Sequence, residues 1–279
     1  MQEKHNEHWK IADLPWDRFD ASQVDPEILK IIKAASLVEY NAVDYASYLK
    51  NVFSEDAAFR QDIENWAAEE TQHGEALGQW AVRADPSFDF SAAFARYTAG
   101  YRIDTQKTHS VRGSKTGEMI ARCIVESGTS SYYTMLSDAT AEPVLKALCR
   151  HIAADEYRHY QLFHDYLNVY SQQENLGRRA RLKIGLSRVI ESEDDELAYA
   201  YFAANAPVSV PYKRAPNTSS FMVRAFPLYQ PEHIKRMVAL IFRACGWTHS
   251  IFTRRLAQRL AQTVMRIKVK RAMKTRAAY

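Results

Sequence analysis

Two stretches decide how this chain is read: Ala67-Ala68-Glu69-Glu70-Thr71-Gln72-His73 and Ala153-Ala154-Asp155-Glu156-Tyr157-Arg158-His159. Each contains Glu-x-x-His. On an α-helix, residues i and i+3 lie one above the other on the same face. Each stretch therefore aims one carboxylate and one imidazole at the same spot. Working outward, Glu39 in Leu37-Val38-Glu39-Tyr40 precedes Glu70 by 31 positions, and Glu126 in Ile124-Val125-Glu126-Ser127 precedes Glu156 by 30. The chain thus carries the same helix-pair unit twice. One Glu from each of two helices, with Glu-x-x-His from each of two others, is the ligand set of a di-iron or di-manganese centre in a four-helix bundle.

A single Glu-x-x-His is a weak signal, because solvated helix faces produce it by chance. Two copies, each with an upstream Glu at matching distance in an apolar-rich helix, are much stronger. Ionised carboxylates converging in a core repel one another, and each costs several kcal/mol to desolvate. Two divalent cations neutralise four carboxylates. Carboxylate and imidazole donors without thiolate suit iron or manganese better than a structural zinc. The cofactor expected is two Fe ions, with an Fe/Mn pair left open because both share these ligands.

The bulk properties are compatible with this reading. The 279 residues suffice for one large domain or two small ones. Only 9 Gly and 9 Pro argue against the many turns of an all-β chain. The 3 Cys lack CxxC spacing, which points to a reducing compartment without a disulfide framework. Met1-Gln2-Glu3-Lys4-His5-Asn6-Glu7 is too polar for a secretory signal, and no apolar run of about 18 residues exists to span a membrane. The expected location is cytoplasmic. No GxGxxG occurs, so electrons for any redox reaction come from outside the chain.

The expected elements follow from caps and periodicity. Residues 1–25 read as an irregular segment packed on the bundle, with Pro15 breaking any helix. Asp25-Pro26-Glu27 opens a first helix to about Phe53 that holds Glu39. Ser54-Glu55-Asp56 caps a second, to about Arg83. Residues 84–112 are a long crossover, with a helix of their own from Ser91 to about Thr105. A third helix, Ser114 to Leu136, holds Glu126. A fourth, opened by Glu142-Pro143, holds Glu156 and His159 and ends near Ser171. Beyond it, Asn175 to Asn205 reads as a helix containing the acidic run Glu191 to Glu196. The proline-rich residues 206–231 read as a loop, Glu232 to Cys245 as a short helix and 254–276 as a basic amphipathic helix.

At the motifs the sequence is recognisable. Trp66-Ala67-Ala68-Glu69-Glu70-Thr71-Gln72-His73-Gly74 and Ile152-Ala153-Ala154-Asp155-Glu156-Tyr157-Arg158-His159 closely resemble the two motifs of soluble acyl-[acyl-carrier-protein] desaturases, of the ferritin-like superfamily. The resemblance covers residues 16–171 in pattern, closely only near the motifs. It implies an all-α, ferritin-like four-helix bundle over 26–171, with a long crossover between helices 2 and 3 and accessory C-terminal helices over 172–279. It also implies that Glu39, Glu70, His73, Glu126, Glu156 and His159 are the iron ligands, with Glu70 and Glu156 as bridges. Thr129 matches a threonine beside the oxygen-binding face. Asp155 matches a carboxylate holding a ligand histidine, as ligand imidazoles usually require. Glu69 is the counterpart of Asp155 in the internal repeat. Trp16 matches, in a loose alignment, an N-terminal tryptophan on the same hydrogen-bonded chain.

The activity implied is an O2-dependent di-iron oxidase acting on a fatty acyl chain carried by acyl carrier protein, with a ferredoxin-type electron donor. The C-terminal third shows no match to that family, which keeps other readings open: a rubrerythrin-like iron or peroxide handling protein, or a hydroxylase acting on another substrate. Cys123, Cys149 and Tyr133 could face the cluster, but buried Cys is usually a small hydrophobe, and a plain core role is the simpler reading for all three. From 254 to 276 there are nine Lys or Arg and no acid. That helix is solvated, docks an acidic protein partner, or lies on anionic lipid as a peripheral membrane contact. A homodimer is a further open partner. Nucleic-acid binding has no supporting motif.

Overall fold

In the computed structural model, which describes residues 8–191, 195–247 and 251–277, the chain is all-α, with no strand among the described residues. Its helices are α1 (Pro26–Tyr40), α2 (Ala42–Val52), α3 (Ala57–Ala84), α4 (Phe90–Gly100), α5 (Lys115–Ala139) and α6 (Pro143–Glu174). They continue with α7 (Arg178–Glu191), α8 (Asp195–Asn205), α9 (Arg214–Ala225), α10 (Pro231–Ala244) and α11 (Ile251–Ala277). Among the described residues, no helix is long and apolar enough to cross a membrane.

The starts are written in the sequence. Asp25 accepts from the amides of Glu27 and Ile28 ahead of Pro26, Asp56 accepts from the amide of Phe59, and Ser114 from that of Gly117. Each satisfies an amide that the first turn leaves without a helical partner. Glu142 goes further. Its fully buried carboxylate caps α6 through Leu145 N at 2.7 Å and accepts the Trp80 indole of α3, also at 2.7 Å, and the Asp20 amide at 3.2 Å. One side chain thus ties α6, α3 and the N-terminal segment together.

Helix α1 lies along α3, α5 along α6, and α3 against α6. Two apolar clusters form along these helices. One gathers Ile31 and Leu37 of α1, Trp80 of α3, Tyr133 of α5 and Leu148 of α6. The other gathers Leu49 of α2, Ile63 of α3, Met119 of α5 and Phe163 of α6. On α3, α5 and α6 the polar residues singled out above fall between the two clusters. The α1–α3 contact is unusually close: a Cβ on Gly74 would sit 2.3 Å from the Tyr40 backbone nitrogen. Only glycine at 74 lets the two backbones meet there.

Four expectations need adjusting. The first helix breaks at Asn41, whose backbone (φ −87°, ψ 12°) leaves the helical region two residues after Glu39. The stretch from Asn175 to Asn205 is two helices, α7 and α8, with residues 192–194 of the acidic run outside those described, as is the polar stretch 1–7. The expected loop over 206–231 contains α9. Pro216 falls in its first turn, where proline is tolerated, and Phe221, Met222 and Ala225 are buried. The N-terminal segment is ordered from Ile11 as three short 3-10 turns. The later helices are built onto the earlier ones: α8 packs on α1 and α4, α7 and α10 on α5, and α11 on α9 and α10. Ala200, Tyr201, Phe221 and Ala225 share the cluster of Ile31 and Leu37.

Candidate metal centre

Helices α1, α3, α5 and α6 bring six side chains together. Atoms of Glu39, Glu70, His73 and Glu156 lie within 4.8 Å of one another, and so do atoms of Glu70, Glu126, Glu156 and His159. The two groups share Glu70 and Glu156. Each site so defined has one histidine, one terminal carboxylate and two carboxylates in common with its neighbour. The Glu-x-x-His spacing on α3 and α6 produces this overlap, with each Glu reaching the centre one turn before its His. Five of the six are buried and Glu39 is half-buried.

Both imidazoles are held the same way. His73 Nε2 lies 2.9 Å from Asp155 Oδ2, and His159 Nε2 lies 2.9 Å from Glu69 Oε2. The outer nitrogens are engaged with carboxylates from the opposite motif, so Nδ1 of each ring faces inward. His73 Nδ1 is 3.2 Å from Glu70 Oε2 and 3.4 Å from Glu156 Oε1. His159 Nδ1 is 3.1 Å from Glu70 Oε1, off the angle of a hydrogen bond.

The electrostatics show what the cluster requires. Burial, reinforced by the charges of Glu70 and Glu156, pushes the Glu39 carboxyl well above the usual range. Burial and the same two charges do so for Glu126, against the opposing charge of Arg122. Glu70 is held well below the range despite its burial, by His159 and His73. His73 rises well above the ordinary imidazole value despite burial, through Asp155, Glu156 and Glu70. His159 rises to about 9 despite burial, through Glu70 and Glu69. Converging carboxylates thus gather positive charge.

That demand is the test of fit for metal. Glu126 Oε1, Glu156 Oε1 and His159 Nδ1 are buried without hydrogen-bond partners. Unpartnered buried polar atoms are costly, and these three all belong to the converging cluster. With Nδ1 of each ring facing carboxylate oxygens, a positive charge must lie between them, carried by a proton on the imidazole or by a metal ion that displaces it. The donor set, carboxylate and imidazole without thiolate, fits a pair of iron or manganese ions.

The surroundings of the six are specific. Thr129 donates to Glu156 Oε2 at 2.5 Å. Tyr133 donates to Glu39 Oε1 at 2.5 Å, a closer involvement than the core role expected from sequence. Asp155 also accepts the Trp9 indole at 2.6 Å, lies 2.9 Å from His8 Nε2, and pairs with Arg158. The tryptophan on this chain is therefore Trp9, correcting the assignment of Trp16, whose indole donates to the Ile11 carbonyl at 2.8 Å. Trp9 also stacks on the His73 ring, 6.0 Å between centroids and 1° between planes. Sequence reasoning did not single out His8, which lies within reach of both Asp155 and Glu69. Cys123 and Cys149 are buried but belong to none of the ligand groups.

A scan against protein-family models and a search of curated proteins each gave no match to this chain.

Proposed function

We propose that the chain is a ferritin-like four-helix bundle holding two iron ions, and that it is an O2-dependent oxidase acting on a fatty acyl chain in the manner of a desaturase. The observation carrying this reading is the pair of ligand groups sharing Glu70 and Glu156. Glu39, Glu70, His73, Glu126, Glu156 and His159 would hold the pair, and iron held there would supply the activation of O2 needed to oxidise an unactivated C–H bond. In the net reaction, O2, two electrons and two protons become two waters as two hydrogens leave adjacent carbons. The electrons come from an external donor of the ferredoxin type.

The chain's own groups would hold the site and manage its protons. Asp155 and Glu69 fix both ring orientations and keep Nδ1 free to ligate. The Thr129 hydroxyl, on Glu156, is placed to hold a proton at a shared carboxylate. Tyr133 restrains Glu39 at the α1–α2 break. A cavity of about 560 Å³ lies where that break meets α3 and α4, lined in part by Tyr40, Asn41, Thr71, Phe94, Arg102 and Ile103. Tyr40 and Thr71 directly follow Glu39 and Glu70. Phe94 and Ile103 offer apolar surface to a chain, and Asn41 and Arg102 offer donors to its polar end.

The test is metal analysis of the wild type beside Glu126→Ala and His159→Ala, with a visible spectrum before and after O2 reaches the Fe(II)-loaded protein. About two irons per chain in the wild type, fewer in both variants, and an O2-dependent spectral change are expected. Turnover of acyl-carrier-protein thioesters, followed as loss of two hydrogens, then tests the substrate. Failure to bind iron under anaerobic loading would refute the proposal.

A further inference from the structure

The proposed function does not use α11, which presents a long exposed apolar row. Helices pack to bury their apolar stripe, yet α11 turns its own outward. Phe252 is 75% exposed, Leu256 51%, Leu260 58%, Val264 47% and Ile267 44%. Their spacing of four, four, four and three residues keeps them in one row. At 1.5 Å per residue the row runs about 22 Å along the helix. Arg255, Arg259 and Arg266 are exposed beside it. The inward side is anchored: Ala272 is buried, Gln258 donates to the Pro231 carbonyl at 3.0 Å, and the helix lies along α9 and α10.

The charge on this helix selects what can cover the row. Between Ile251 and Ala277 there are nine Lys or Arg and no Asp or Glu. A second copy of α11 laid against it would bring the arginine rows together with no acid on either helix to neutralise them. An anionic lipid surface answers both features at once. It accepts a raised apolar row without a shaped groove, and its headgroups neutralise arginines whose stems lie along the acyl boundary. We infer that α11 docks the protein on anionic bilayers, lying in the plane of the interface with Phe252, Leu256, Leu260, Val264 and Ile267 inserted. The inference is independent of the metal centre, and its test reads neither metal content nor turnover.

The experiment is co-sedimentation of the full chain with vesicles of phosphatidylcholine alone or with about a third phosphatidylglycerol. The wild type should bind the anionic vesicles, not the neutral ones, and release with added salt, as surface electrostatics require. Arg255→Gln/Arg259→Gln/Arg266→Gln should weaken binding about a hundredfold, at roughly a factor of five per charge. Leu256→Ser/Leu260→Ser should weaken it by at least tenfold. These side chains are exposed, so unchanged circular dichroism is expected in both variants. Phe252→Trp should shift its emission to the blue on anionic vesicles only. Absence of vesicle binding, equal binding to neutral vesicles, or wild-type binding by both multiple variants overturns the inference. A dimer dissociated by Leu256→Ser/Leu260→Ser without vesicle binding also overturns it and gives the row to a second copy. So does capture of an acidic protein through the same row without vesicle binding.

Discussion

Asp155→Asn perturbs one half of the candidate metal centre and leaves the other in place. Asp155 is 1% exposed. Its Oδ2 lies 2.9 Å from His73 Nε2, 2.6 Å from the Trp9 indole nitrogen and 2.9 Å from His8 Nε2, and its Oδ1 faces Arg158. Asparagine keeps the shape but has one acceptor oxygen. If that oxygen faces His73, the new NH2 faces Arg158; turned round, the NH2 opposes three nitrogens. The charge-assisted bond lost at His73 is worth about 1.5–3 kcal/mol, a loss of roughly 10- to 100-fold in affinity for a metal held by that ring. This agrees with the usual effect of removing a carboxylate behind a ligand histidine. Only the site of Glu39 and His73 should weaken, because His159 is held by Glu69. Anaerobic Fe(II) titration against a competing chelator resolves the two steps, and one should shift while the other holds. Glu69→Gln should move the other step, and by less, since the Glu69 side chain is 29% exposed against 2% for Asp155. Unchanged affinity in Asp155→Asn, or an equal loss at both steps, would refute the reasoning.

Three further outcomes follow from the same structure. Gly74→Ala places a methyl 2.3 Å from the Tyr40 backbone, beside Glu39; a loss of about 3 kcal/mol in denaturant unfolding is expected, with reduced iron content. Metal loading should release protons, because the metal-free His159 is held up to about 9 and its Nδ1 must lose its proton to ligate. Apparent affinity should therefore rise with pH toward 9, and a pH-stat during Fe(II) addition measures the release. Asp85, held down to about 2 chiefly by Lys33 at 2.5 Å, stabilises the fold above the ordinary carboxyl value, and that gain is lost as pH falls toward 2. Asp85→Asn should cost about 0.5–1 kcal/mol at pH 7, since its side chain is 31% exposed, and progressively less between pH 4 and 2 in urea melts.

The six converging residues were legible because the rule that places them is local. Glu-x-x-His puts two donors on one helix face whatever the helix packs against, and the repeat at 31 and 30 positions supplied the other two carboxylates. The caps at Asp25, Asp56 and Ser114 were equally local, each acting within three residues. Asp155 was implied by the family resemblance, supported by the requirement that a ligand imidazole needs a partner for its other nitrogen, and Glu69 by its place as the counterpart of Asp155 in the internal repeat.

What escaped the sequence depends on contacts between distant residues. Trp9 and Trp16 are chemically equivalent candidates for Asp155, and only the path of the N-terminal segment over α6 and α3 chooses between them. The break at Asn41 lies inside a pattern that reads as one helix through Phe53, and α9 lies in a stretch whose prolines read as a loop until its apolar residues find α8 and α1. The exposure of the apolar row on α11 was likewise undecided, because periodicity reveals that a helix has an apolar stripe and not which way the stripe faces. That direction is set by packing, which buries Ala272 and leaves Phe252 in the open.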